Sequence, residues 1–213
     1  MAETGSMPPL LDRLRRVLLG SSEAQRPIAQ LDLPLNLQRF FTPEALSRLR
    51  AAAVLVPVID HAAGPTILLT RRAENLRHHK GQISLPGGGR DAADASLAAA
   101  ALREAQEEVG LDPALVDLVG YLDDYPTITG YRITPVVGLV RQAFDPVIDP
   151  GEVAETFELP LEVLLAENAF ERKSLLRDGF NVLVREINHD GRRIWGATAG
   201  ILWELRQKML GHD

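Results

Sequence analysis

The segment Arg103-Glu104-Ala105-Gln106-Glu107-Glu108-Val109-Gly110 places three carboxylates at relative positions 0, +3 and +4. On an α-helix that spacing puts all three on one face. Negative oxygen clusters held this close repel one another, and a divalent cation bound among them reverses the cost. Donors that are all oxygen favour Mg²⁺ or Mn²⁺ over zinc. Glu104, Glu107 and Glu108 are therefore candidate metal ligands, and Arg103 can orient a neighbouring carboxylate through a salt bridge. Taken alone, Glu-x-x-Glu-Glu is more often a solvated acidic face. Two flanking features favour chemistry. Gly87-Gly88-Gly89 would let main chain approach a ligand closely, and Gly110 ends the helix just beyond the carboxylates.

Positioning this set requires a helix with Asp94 as N-cap, running to Val109 and stopped by Gly110 and Pro113. Ala98, Leu102, Ala105 and Val109 form an apolar stripe that can anchor it on a sheet, with the carboxylates flanking the buried face. Strands are expected over Ala52 to Ile59 and Thr66 to Thr70, joined by a turn, and over Leu118 to Leu122, Ile133 to Val140 and Phe157 to Leu159. A helix follows Pro160 to Ala166. Phe180 to Asn188 and Arg192 to Trp195 flank Asp190-Gly191, a dipeptide suited to a tight hairpin. A last helix covers Thr198 to Leu210. Strands without regular βαβ alternation predict a mixed α+β fold with a mixed β-sheet sandwiched between helices. Residues 1–34 are expected to form a peripheral helix over Leu10 to Leu19 and a connection, and residues 35–213 the main domain; residues 1–6 look like an expression-tag remnant.

The chain has 213 residues, a formal charge of −6 and 46% hydrophobic content, enough for one substantial core. The negative balance argues against nucleic acid and anionic membranes as partners. An anionic substrate must therefore meet a local cationic patch or a bound metal ion. With no cysteine, thiolate nucleophiles, disulfides and zinc-thiolate sites are excluded. No signal-like or membrane-spanning run is visible, so a cytoplasmic protein is expected; a homodimer remains possible.

Together, the glycines and the glutamate helix resemble the Nudix box: Gly, five residues, Glu, seven residues, Arg-Glu, an apolar residue, any residue, Glu-Glu, any residue, Gly and an apolar residue. The right half matches completely from Arg103 to Leu111. The left half departs. Counting back from Arg103 puts Ala95 at the first Glu position and Gly89 at the Gly position; counting forward from Gly88 puts Asp94 there with one residue extra. The second alignment keeps a carboxylate.

Upstream, Leu68-Leu69-Thr70-x-Arg72-Ala73-x-x-x-Arg77-x-x-x-Gly81-x-x-x-Leu85-Pro86-Gly87-Gly88 resembles the signature of the coenzyme A pyrophosphatase branch, with Leu85 where that signature carries Phe. Thr129-Gly130-Tyr131 and Trp195-Gly196-Ala197-Thr198 are also similar to this branch. The resemblance implies a Nudix fold, Mg²⁺ or Mn²⁺ as cofactor, and hydrolysis of coenzyme A to 3′,5′-adenosine diphosphate and 4′-phosphopantetheine. Arg72, Arg77, Lys80, Gly87 and Gly88 become substrate-binding candidates. Arg71, Arg72, Arg77 and Lys80 do cluster against Glu74 alone, which suits a substrate with several phosphates. The catalytic set is Arg103, Glu104, Glu107 and Glu108 with Glu152 as the preferred base and Glu155 as the alternative. His78, His79, Tyr131 and Trp195 are weaker candidates. Hydrolysis of ADP-ribose, dinucleotides or nucleoside triphosphates is the competing activity. A non-catalytic nucleotide-sensing module is the reading from another class, and would be expected to have eroded glutamates.

Overall fold

The computed structural model describes residues 10–24, 26–29, 41–76, 79–142, 144–177 and 180–211, the side chains of 175–182 excepted. In chain order the elements are α1 (Leu10–Val17), α2 (Pro43–Ser47), β1 (Arg50–Ile59), β2 (Thr66–Arg72), β3 (Ile83–Ser84), β4 (Gly87–Gly89) and α3 (Leu97–Val109). There follow β5 (Val116–Tyr121), β6 (Tyr125–Pro126), β7 (Tyr131–Val140), β8 (Val153–Pro160), α4 (Leu161–Leu165), β9 (Glu171–Arg177), β10 (Phe180–His189), β11 (Arg192–Trp195) and α5 (Gly196–Leu210).

β1 and β7 are apolar on both faces because they form the middle of the sheet. They pair in parallel from Arg50↔Tyr131 to Ile59↔Val140, and the neighbouring pairings are antiparallel, giving the mixed sheet order β3-β2-β1-β7-β5. β4 joins β1, β6 joins β7 and β8 joins β2. Alternation along β1 divides the core into two layers. Leu55 and Ile59 face α3 with Leu68, Val136 and Val140, whereas Val56 and Val58 face Leu14 and Leu18 of the N-terminal segment and Leu202 and Leu205 of α5. Helices thus cover both faces, as expected. Burying each such Leu or Val fully contributes about 1.5–3 kcal/mol. The boundary proposed at residue 34 lies outside the described residues.

Two local expectations need correction, and one strand was not anticipated. Asp94 is not the N-cap of α3: Ser96 holds that position and accepts from Ala99 N–H at 2.9 Å, while the Glu23 carboxylate accepts from Leu97 N–H at 2.9 Å. The apolar stripe is also wider than expected. Glu108 is 2% exposed and lies on the buried face with Ala101, Ala105 and Val109 instead of flanking it. Finally, Glu171–Arg177, a charged stretch without strand patterning, pairs with β10 in a separate antiparallel sheet of order β11-β10-β9. The β10–β11 turn is as expected, with Asp190 at φ 48° and Gly191 at φ 73°.

Candidate active site

Four segments converge on the glutamate face of α3. The helix is packed by alanines small enough to let it lie close to the sheet, and its C-terminal turn is closed by Gly110 at φ 69°. That fixes Glu104, Glu107 and Glu108 beside β4. At Gly87, φ is 154° and a Cβ would stand 2.6 Å from Val54 Cα, so only glycine allows β4 to pair there. At Gly88 a Cβ would meet Glu104 Oε2 at 2.5 Å. The close approach that these glycines permit is thus first to the protein's own β1 and Glu104.

Arg103 organises the face. Its Nε donates to Asp94 Oδ1 at 3.0 Å and its Nη2 to Asp94 Oδ2 at 3.1 Å, a two-pronged pair, while Nη2 also reaches Gly89 O at 3.2 Å. Nη1 donates to Glu104 Oε1 and to Glu107 Oε2, each at 2.9 Å. Hydrogen bonding from Arg103 holds the Asp94 carboxyl below its usual range despite partial burial. The alignment that keeps Asp94 is therefore the one with a structural partner: Asp94 also accepts Asp91 N–H at 2.7 Å and shapes the loop ahead of α3.

Glu108 sits deeper. Gly87 N–H donates to its Oε2 at 3.3 Å and Arg72 Nη1 stands 3.5 Å from its Oε1. Burial pushes its carboxyl up to about 7, with Glu152 and Glu104 adding repulsion against the pull of Arg72 and Gly87. Burial likewise raises Glu104, opposed by Arg103 and reinforced by the charges of Glu107 and Glu152. Glu152 thus lies within electrostatic reach of the glutamates. Glu155 does not join them, because its Oε1 accepts from Arg71 Nε at 3.2 Å and from Arg192 Nε at 3.4 Å.

Among the described residues, no three acidic or imidazole groups already converge as a metal cage. The donor set nevertheless fits a hard divalent cation: oxygen ligands only, with two carboxyls raised in part by one another's charge. Arg77 and His78 lie outside the described residues. His79 pairs with Gln82 at 2.9 Å, Tyr131 lies under the Arg50 guanidinium at 4.2 Å, and Lys80 and Trp195 line a separate cleft. Sequence reasoning missed Glu23, which caps α3 from the N-terminal connection, and Arg192, which holds Glu155. Neither has a local motif that would have announced it.

The NUDIX domain family matches residues 49–179, more than half of the chain. The chain belongs to the Nudix family. A Citrobacter koseri protein named "Uncharacterized Nudix hydrolase NudL" is 43% identical over 162 residues, covering 76% of this chain and 83% of the relative. Its Cronobacter sakazakii namesake is 42% identical over 181 residues, covering 81% and 94%. The M. smegmatis Nudix hydrolase RenU is 24% identical, covering 54% of this chain and 72% of that one, with a TM-score of 0.43. Membership supports hydrolase activity of the diphosphate-cleaving type, and Nudix hydrolases generally use divalent ions such as Mg²⁺ or Mn²⁺. No helix among the described residues is long and apolar enough to cross a membrane.

Proposed function

We propose that the chain hydrolyses the diphosphate bond of coenzyme A or its derivatives, releasing 3′,5′-adenosine diphosphate and 4′-phosphopantetheine. One observation carries this reading. The segment that resembles the coenzyme A signature borders the glutamate face directly, through Arg72 and Gly87, both of which contact Glu108. An all-oxygen site beside an arginine suits a diphosphate accompanied by a cation.

Glu104, Glu107 and Glu108 would hold Mg²⁺ or Mn²⁺, which when bound supplies charge neutralisation and polarisation at the diphosphate. Glu104 and Glu107 become available for this as Arg103 relaxes its hold on them while keeping its pair with Asp94. Gly87 and Gly88 keep the loop flat against the helix, and Arg72 meets phosphate oxygen at the inner end. Glu152, exposed and near Glu104 and Glu108, accepts the proton of the attacking water. Water adds across the P–O–P bond, its oxygen joining one phosphorus while the other phosphate leaves with the bridging oxygen. Lys80 and Arg77 serve the distal phosphate of the substrate.

The test is product analysis on a panel of coenzyme A, ADP-ribose, a dinucleotide and a nucleoside triphosphate, each with Mg²⁺ and with chelator. Coenzyme A should have the highest kcat/KM and yield the two named products only with the ion. A higher kcat/KM for any other member would overturn the substrate assignment.

A further inference from the structure

Glu152 is the proton acceptor of the proposed reaction, yet it is exposed and no hydrogen bond or ion pair among the described residues holds its side chain. A general base must still meet its water at hydrogen-bond distance. Its direction therefore depends on its main chain. Strand pairing does not fix that main chain. The register of β2 on β8 slips between Arg71 and Arg72, whose partners are Glu155 and Val153, and Glu152 lies beyond the last pair.

The turn Asp149-Pro150-Gly151-Glu152 fixes it instead. Asp149 O accepts from Glu152 N–H at 3.0 Å and from Val153 N–H at 2.8 Å, while Asp149 Oδ1 accepts from Gly151 N–H at 2.8 Å. Asp149 thus holds three successive N–H groups. Proline after it suits such a turn, because proline fixes φ and a short carboxylate reaches the main chain two residues on.

The same turn is tied to the glutamate helix. Asp149 N–H donates to Glu108 O and Val147 N–H to Val109 O, each at 3.0 Å, and these are carbonyl groups that a helix end leaves without helical donors. A Cβ on Gly110 would stand 3.1 Å from Val147 Cβ, so helix end and loop touch. On the far side, Ala73 N–H donates to Glu152 O at 2.8 Å, one residue beyond the Arg72 that meets Glu108. Asp149 therefore binds the main chain of Glu108 through its N–H and that of Glu152 through its O.

Resting on the reading of Glu152 as the base, we infer that Asp149 is a positioning residue for the reaction. It sets the direction of Glu152 relative to Glu108, and with it the place of the attacking water relative to the glutamate face. What the side chain supplies is an acceptor oxygen, which an amide offers equally. A role as metal ligand or second base would need the carboxylate.

The test is steady-state kinetics of Asp149→Ala, Asp149→Asn, Glu152→Gln and the double variant Asp149→Ala/Glu152→Gln, with Mg²⁺ and the substrate of the panel that has the highest kcat/KM. Asp149→Ala should lower kcat about 10-fold with KM little changed, within the scale of a slightly misplaced reacting group. Asp149→Asn should keep wild-type kcat. In the Glu152→Gln background the Ala substitution should cost less than about twofold more, since a residue that acts through Glu152 has nothing left to act on. Amide exchange at Glu152 and Val153 in metal-free protein should quicken in Asp149→Ala and not in Asp149→Asn. Asp149 is exposed, so neither variant disturbs the core. Equal losses in the Ala and Asn variants would make the charge the agent and overturn the inference. Faster exchange with unchanged kcat in Asp149→Ala, or fully multiplied losses in the double variant, would overturn it as well. If Glu152→Gln keeps wild-type turnover, the base reading fails and the inference falls with it. If Glu152→Gln is slow and Asp149→Ala is not, the positioning role alone fails.

Discussion

On the α3 side of β2, the carboxylates of Glu104, Glu107, Glu108 and Glu152 gather around the guanidinium groups of Arg72 and Arg103. On the other side, Arg71, Lys80, Arg192 and Arg193 gather around Glu155 and Asp190. The first region is rich in carboxylates held by few cations, whereas in the second each arginine has an acidic partner, Arg71 in Glu74 and Glu155, Arg192 in Glu155 and Arg193 in Glu186, although the two begin one residue apart. A carboxylate cluster is completed by a cation. The same comparison separates the two glutamates considered as base, the preferred Glu152 and the alternative Glu155, since Glu152 belongs to the acidic side and Glu155 to the basic one.

The largest effect that could break this comparison comes from the acidic side. Glu107→Gln and Glu108→Gln should each lower kcat by at least ~100-fold with little change in melting temperature, since each removes a charge but keeps the shape. Normal turnover by either variant would make that side a structural feature.

Glu152→Gln comes next, with a fall in kcat of about 10- to 100-fold and a smaller change in KM, as befits a group that accepts a proton only in the transition state. Glu155→Gln should instead leave kcat near wild type, because Glu155 is held by Arg71 and Arg192 and does not join the glutamate face. Exchanged outcomes for the two variants would reverse their assignment to sides.

Asp94→Asn sharpens the role of Arg103. It removes the carboxylate that anchors the guanidinium, so the apparent affinity for Mg²⁺ should fall by about 10-fold, the usual scale for a group that orients a ligand. Unchanged metal dependence would show that Arg103 is held well enough by Glu104, Glu107 and Gly89.

The smallest effect concerns stability alone, at a carboxyl outside both regions. Burial pushes Glu204 up to about 8 from an ordinary 4.5, with Asp123 adding to the rise. The folded chain therefore keeps a proton there that the unfolded chain has already released. This contribution is fully present below about pH 4.5 and declines as pH rises through 8. Glu204→Gln should flatten that decline, raising melting temperature at pH 8 and leaving it unchanged at pH 5, with activity preserved. An identical shift at both pH values would remove the titration of Glu204 as the cause.

The acidic side was largely legible in the sequence because its geometry is local: the i, i+3, i+4 spacing on one helix, Gly110 as the stop and the glycines of β4 all lie within a short stretch. Its departures came from tertiary packing. Periodicity did not foresee that Glu108 would be drawn onto the buried face by the close seat of an alanine-rich helix, or that Glu23 would cap α3 from 74 residues away. The basic side was half visible, as Arg71 and Lys80, and half hidden. Arg192 and Arg193 become its neighbours only through a sheet whose first strand, Glu171–Arg177, has no apolar alternation to reveal it. The hairpin turn was readable from Asp190-Gly191; where the hairpin docks was not.

The most direct test of the central claim is mass-resolved product analysis of coenzyme A incubated with the protein and Mg²⁺ in water enriched in heavy oxygen. The expected result is 3′,5′-adenosine diphosphate and 4′-phosphopantetheine in equal amounts, one of them carrying a single heavy oxygen on its phosphate, with no products once the ion is chelated. Intact coenzyme A, cleavage at the thiol end or the 3′-phosphate, or full turnover in excess chelator would contradict it.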